Sequence, residues 1–178
     1  MSRIFGPIFQ MGYIVRDLDE AVNHWTKVLG VGPFFVTPLS FERYEFEGVA
    51  SSPDLRLGFS YSGDMQIELI EQVNDAQSGY KAWLEEHGPG LHHVAMLLPD
   101  FDAQTAAFEA SGLRVIMDGK TAASANRDSV RFRFYDTALH NGSYVEAVDA
   151  KATRLAVPNP MHQAAAKWDG SNPVRSLG

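Results

Sequence analysis

The alternation of apolar and polar positions predicts a strand, a helix and then three strands, and it predicts that order twice. Residues 7–15 alternate loosely, with Ile8, Met11, Tyr13 and Val15 apolar, as a strand with one buried face does. Asp17 then stands as a helix N-cap with Glu20 three residues on, a capping-box spacing. Leu18, Ala21, Val22, Trp25, Val28 and Leu29 recur at helical intervals up to Gly30, a C-terminal stop. Three strand-like runs follow at about 42–48, 54–61 and 65–71, separated by the turn-rich segments Gly48–Pro53 and Ser62-Gly63-Asp64. A polar loop, a short helix near Tyr80–His87 and the Gly88-Pro89-Gly90 break form a connector. The order then repeats: a strand at Leu91–Leu98, an Asp100-capped helix to about Ser111, and a short strand at Leu113–Met117. After a turn-rich stretch at Asp118–Asp128 come a strand at Val130–Tyr135, an Asn141-Gly142 hairpin turn and a last strand at Ser143–Val148. The predicted organisation is a first module over 1–78, a connector over 79–90, a second module over 91–150 and a C-terminal extension over 151–178. The extension holds a short helix at Met161–Trp168 and reads as a surface segment or a cover over the sheet.

The repetition extends to individual side chains. Gln10, Asp17, Asp19 and Trp25 correspond to His93, Asp100, Asp102 and Phe108 at an offset of 83, and Gly30 to Gly112 at 82. Gln-Ile-Glu-Leu-Ile at 66–70 is echoed by Tyr-Val-Glu-Ala-Val at 144–148, which places Glu68 and Glu146 at matching positions 78 apart. Each module therefore offers one polar residue on its first strand and one carboxylate on its last. By period-two alternation Gln10 shares a face with Gly12 and Ile14, His93 with Ala95 and Leu97, Glu68 with Gln66 and Ile70, and Glu146 with Tyr144 and Val148. Alone, each of the four reads as the polar side of a half-exposed strand. Jointly they supply an amide oxygen, an imidazole and two carboxylates at duplicated positions, and a divalent cation would compensate the cost of burying the two charges. His92 is expected on the opposite face from His93, in a structural role. His24, His87, His140 and His162 fall in helix or loop contexts.

Composition narrows the function classes. The 178 residues are 45% hydrophobic and 21% charged, ordinary globular usage. A net charge of −7 argues against nucleic acid or an anionic membrane as the main partner. With no cysteine, disulfides, thiolate ligands and thiol nucleophiles are excluded. There is no apolar signal segment and no run near the roughly 18 apolar residues of a membrane span, so a soluble, cytoplasmic protein is expected. Trp25, Phe34, Phe35, Phe59, Tyr61, Phe132, Phe134 and Tyr135 supply aromatic surface, either as core packing or as walls for a hydrophobic or aromatic substrate. Arg131 and Arg133 suit either a solvated strand face or an anionic group.

Val-Arg-Asp-Leu-Asp-Glu-Ala at 15–21 with Trp25, Gly-Pro-Gly-Leu-His-His-Val-Ala at 88–95 and the two Glu-bearing end strands together resemble the vicinal oxygen chelate superfamily over about residues 7–150. The superfamily holds glyoxalase I, methylmalonyl-CoA epimerase, extradiol dioxygenases and antibiotic-resistance proteins. The resemblance implies an α+β fold of two tandem βαβββ modules whose curved mixed sheet surrounds a metal pocket, with Gln10, Glu68, His93 and Glu146 as ligands. It also implies a redox-inert divalent ion (Zn, Ni, Co, Mn or Mg), and Glu146 as the base, with Glu68 as metal partner or second base. The implied activity is that of an isomerase or lyase, epimerase-like or lactoylglutathione-lyase-like, which removes a proton next to a carbonyl and stabilises the enolate on the metal. The implied substrate is a small molecule: an acyl-CoA thioester, a keto acid or a hydrophobic compound. A homodimer is expected by the same resemblance. Two alternatives come with the resemblance: a non-catalytic binding or resistance protein, and an Fe(II) ring-cleaving dioxygenase, against which Gln10 argues because the resemblance to that branch implies a histidine at its position. The epimerases also carry a Glu on the strand before the Glu68 hairpin, where this chain reads Asp-Leu-Arg-Leu-Gly-Phe-Ser at 54–60.

Overall fold

Strand β1 (Ile8–Ile14) leads into helix α1 (Leu18–Lys27), where the Asp17 carboxylate accepts the Glu20 N–H at 2.8 Å. This closes one of the donors a helix leaves open at its start. Leu18, Val22 and Thr26, four residues apart, form the buried side of α1. The first module continues with β2 (Phe34–Leu39), β3 (Phe41–Phe46), β4 (Val49–Ala50), β5 (Leu55–Ser62) and β6 (Met65–Gln72). Helix α2 (Gly79–His87) bridges to the second module: β7 (Gly90–Leu98), α3 (Phe101–Ala110), β8 (Arg114–Thr121), β9 (Arg131–Asp136) and β10 (Tyr144–Asp149). Asp100 caps α3 by accepting the Ala103 N–H at 3.2 Å, as Asp17 caps α1. A short helix α4 (Pro160–Ala166) and a strand β11 (Val174–Ser176) form the tail. This computed structural model describes residues 6–124, 128–136, 143–152 and 157–177. The expected Asn141-Gly142 turn and His140 lie outside them.

All eleven strands among the described residues belong to one curved sheet, in the order β11-β2-β5-β6-β1-β7-β10-β9-β8-β3-β4. The architecture is the expected α+β fold, and its centre is a pseudo-twofold axis between β1 and β7. These strands pair antiparallel with Gly12 opposite His93 and Gln10 opposite Ala95. Each is flanked by the last strand of its own module in parallel: Gly12 lies beside Glu68 on β6, and Ala95 beside Glu146 on β10. The offsets of 83 and 78 read from the sequence are thus the register of the sheet.

Two features differ from the sequence reading. A strand at Phe34–Leu39 was not anticipated, and it continues into β3 after Ser40 alone. Across that residue the chain passes from pairing with β5 to pairing with β8, near the other end of the sheet. The sheet therefore curls until its two ends are tied by one stretch of chain. The strand expected at Leu113–Met117 is also longer at its end: β8 runs to Thr121, into the stretch read as turn-rich.

The outer surface of the curl carries α1 against Phe34, Ile67 and Leu69, and α3 residues Phe101 and Phe108 against Met96, Leu98 and Tyr135. The inner surface is a third apolar cluster, including Leu39, Leu55, Leu57, Ile70, Phe132 and Phe134, and it faces a cavity. The tail lies along the first module, with α4 against β5 and β11 pairing in parallel with β2 at Phe34–Val36. It thereby covers an edge that would otherwise expose unpaired backbone groups. No helix among the described residues is long and apolar enough to cross a membrane.

Candidate metal centre

The four duplicated residues meet at one atom. His93 Nε2 lies 3.3 Å from Gln10 Oε1, 3.5 Å from Glu68 Oε2 and 3.2 Å from Glu146 Oε2. His93 has no exposed surface, and Gln10 and Glu68 are buried. The sequence explains why the imidazole fits there. A β-carbon added to Gly12 would stand 1.9 Å from His93 Cε1, so the ring lies across the β1 backbone at the one residue that leaves room. Phe134 meets the same ring edge-on at 5.0 Å between centroids.

Burial lowers the affinity of the His93 ring for a proton, but hydrogen bonds to Glu146 and Glu68, with their charges, outweigh it and push its pKa up to about 9. Burial raises the pKa of Glu68, against the pull of His93. A buried carboxylate, Glu68, and a half-buried one, Glu146, thus face a single cationic partner, which leaves excess negative charge in a site of low dielectric. Among the described residues no group of three or more His, Asp or Glu side chains stands spaced as a cation cage. The chemistry of the four donors nevertheless fits a borderline or hard divalent ion: one imidazole nitrogen, one amide oxygen and two carboxylates, with no sulfur.

His92 corrects the sequence reading. The register steps from Gly12 opposite His93 to Tyr13 opposite Leu91, so His92 is the extra residue of a β-bulge. Instead of pointing away, its Nδ1 lies 3.0 Å from His93 Nδ1, within a cage of Tyr80, Trp83, Phe134 and Tyr144. Burial, and then the charge of His93, hold its pKa well below the ordinary value. A neutral His92 accepts the His93 Nδ1 proton and leaves His93 Nε2 as the atom that faces the other three donors.

The site forms one wall of a cavity of about 230 Å³. Its other walls are apolar, chiefly Leu39, Leu55, Leu57, Phe59, Phe132 and Phe134, with Met161 and Leu177 contributed by the tail. Of the aromatic candidates, Phe59, Phe132 and Phe134 line the cavity. Trp25 packs against Tyr13 and Phe34, and Tyr135 against Phe108, away from it. Arg131 and Arg133 do not serve the site: Arg131 binds Asp149 at 2.7 Å and Asp102 at 2.8 Å, and Arg133 binds Glu109 at 2.6 Å and Asp118. Two lining residues escaped the sequence reading. Tyr80, from the connector helix, is kept protonated by burial, with the carboxylates Glu146 and Glu68 nearby acting in the same direction. Gln66, on the same face as Glu68 by alternation, donates to Tyr61 and accepts from Gln10.

Residues 9–132 match the family model described as the Glyoxalase/Bleomycin resistance protein/Dioxygenase superfamily. The chain belongs to this superfamily. Similar folds include a hypothetical protein of Bacillus halodurans C-125, with TM-score 0.57, 15% identity, and 80% of this chain and 93% of that one covered. A variant methylmalonyl-CoA epimerase of Streptomyces coelicolor, in complex with 2-nitronate-propionyl-CoA, matches with TM-score 0.55 and 23% identity over 83% of this chain and 99% of that one. The methylmalonyl-CoA epimerase of Mycobacterium tuberculosis matches with TM-score 0.56 and 21% identity over 93% and 96%. No functionally curated protein sequence matches the chain.

The charge balance at His93 gives a first prediction for the metal-free protein. Folded, His93 keeps its proton up to a pKa of about 9; unfolded, it releases it near the ordinary 6.5. Between those values the folded state binds more protons, so stability falls as pH rises through the window, by on the order of 3 kcal/mol. The raised Glu68 acts in the same direction. His92 acts the other way, because below 6.5 only its unfolded form takes up a proton. Thermal unfolding in EDTA from pH 6.5 to 9.5 should show the decline, and a level or rising midpoint would contradict the buried charge cluster.

Proposed function

We propose that this protein is a metal-dependent isomerase or lyase that acts by proton abstraction next to a carbonyl. The observation that carries the reading is the convergence of Gln10, Glu68 and Glu146 on His93 Nε2 at one wall of an apolar cavity. A divalent cation held by these four residues would supply a Lewis acid for the carbonyl oxygen, where negative charge gathers as the α-proton leaves. Glu146 takes the proton from the substrate carbon, while the C–H electron pair moves toward the carbonyl oxygen. Glu68 stands at the equivalent place across the pseudo-twofold axis, so it faces the other side of a substrate lying on the axis and can return a proton there. Two such carboxylates suit an inversion at carbon or a proton shift between neighbouring carbons.

The protonated Tyr80 hydroxyl lines the same cavity and offers a hydrogen-bond donor that stays neutral. The apolar walls keep water from the abstracted proton and favour a substrate whose acyl or side chain is hydrophobic. Acyl-CoA thioesters come first among substrates because two of the similar folds are methylmalonyl-CoA epimerases; α-keto acids and ketones come next.

The test is solvent-deuterium incorporation. The protein, loaded in turn with Zn, Ni, Co, Mn and Mg ions, is incubated in D₂O with a panel of acyl-CoA thioesters and α-keto compounds, and mass increase is read by mass spectrometry. Metal-dependent exchange into at least one compound is expected. Absence of exchange across the panel with every metal would remove the enolisation reading.

A further inference from the structure

An amide offers a cation its oxygen and repels it with its NH₂ group, so a Gln ligand must be held the right way round. The structure shows what holds Gln10. The backbone N–H of His162 can only donate, and it donates to Asn159 Oδ1 at 3.0 Å. Asn159 must therefore turn Nδ2 the other way, where it donates to the Tyr61 hydroxyl at 2.7 Å. The same oxygen accepts from Gln66 Nε2 at 2.9 Å, which leaves Gln66 Oε1 to accept from Gln10 Nε2 at 2.7 Å. Gln10 Oε1 is then the end directed at His93 Nε2.

Every member of this chain is buried, with Gln66 at 0% exposure, so the side chains hold one another in this arrangement without exchange with bulk water. The tail end is itself anchored. The His162 ring meets Tyr61 edge-on at 5.3 Å between centroids, and its Nε2 lies 3.0 Å from Asp64 Oδ1 in the β5–β6 turn. Farther along, Trp168 packs where a β-carbon on Gly32 would stand 2.8 Å from its ring.

We propose that Asn159, Tyr61 and Gln66 are positioning residues through which the C-terminal segment holds the Gln10 amide with its oxygen toward the cation. This rests on the reading of Gln10 as a ligand. The tail is then part of the metal centre, although Asn159 and Tyr61, which link it to the site, stand 98 residues apart in sequence. Such partners behind a ligand tune the affinity of the site rather than contact the ion.

Co²⁺ affinity of the full-length protein, measured by chelator competition and by the visible spectrum of the bound ion, tests the proposal. Thermal unfolding in EDTA is measured alongside as the readout of folding. Tyr61→Phe and Gln66→Leu are each expected to weaken Co²⁺ about 10–100-fold. Gln66→Glu, which still accepts from Gln10 Nε2, is expected to bind no more weakly than the unaltered protein. Unaltered affinity in Tyr61→Phe and Gln66→Leu, with weakened affinity in Gln10→Ala, would overturn the positioning role and leave the ligand intact. Equal loss in Gln66→Glu and Gln66→Leu would reduce Gln66 to packing and overturn the proposal as well. Unaltered affinity in Gln10→Ala would remove the ligand reading, and the relay with it.

Discussion

Glu146→Gln is expected to lower metal-dependent deuterium incorporation by about 10³-fold or more, within the range by which positioned acids and bases contribute. The substitution keeps the shape of the side chain and an oxygen that can still face an ion, but it removes the only property a base needs, a lone pair basic enough to take a proton. Glu146 is the carboxylate closer to His93 Nε2, at 3.2 Å against 3.5 Å for Glu68, and both line the cavity. The measurement is exchange per bound ion at saturating metal, which separates a lost base from a lost ligand. Glu68→Gln is the informative partner. If the two carboxylates serve opposite faces, its exchange persists from one stereochemical side while conversion between the two sides is lost. Exchange at the rate of the unaltered protein in Glu146→Gln would assign the base elsewhere, and Glu68 would be the first residue to examine.

The placement of the site was legible because it rests on local rules applied twice. Asp17 and Asp100 cap helices by the same three-residue spacing, so both helices begin where the sequence says they do. Alternation put Gln10, Gly12 and Ile14 on one face, and all three are buried. The duplication then had only to become a pseudo-twofold axis for the four donors to meet.

What escaped the sequence depends on pairings between distant segments. Phe34–Leu39 contains Pro38 and lacks clean alternation, and it becomes a strand through β5 on one side and the tail on the other. Period-two reasoning assumes that no residue is inserted, and the bulge at His92 breaks that assumption at the site itself. Gln66 carried a visible signal, since alternation placed it on the face of Glu68. Its partner Tyr61 was legible only as aromatic surface, and Asn159 gave no signal, because nothing local links residue 159 to residue 10.

His93→Ala is expected to have the largest effect on the folded protein. His93 is the cationic partner of Glu68 and Glu146 in the cluster, and its removal leaves the buried Glu68 and the half-buried Glu146 carboxylates facing a void. Breaking a buried charge pair from one side costs about 3–5 kcal/mol, which for a chain of this size lowers the unfolding midpoint by about 10 °C. The pH dependence identifies the cause. Near pH 5 Glu68 relieves the repulsion by holding a proton, helped by the burial that raises its pKa. Near pH 8 it must either ionise beside Glu146 or retain its proton at a cost. The loss should therefore be small at pH 5 and large at pH 8, and the double substitution His93→Ala with Glu68→Gln should recover much of it at pH 8. A cavity left by the missing ring would lower the midpoint equally at both pH values and would not respond to neutralising Glu68. Thermal unfolding of the three proteins in EDTA at the two pH values distinguishes these outcomes. An equal loss at both would mean that no buried charge collects at His93 Nε2, and the case for a cation there would lose its physical basis.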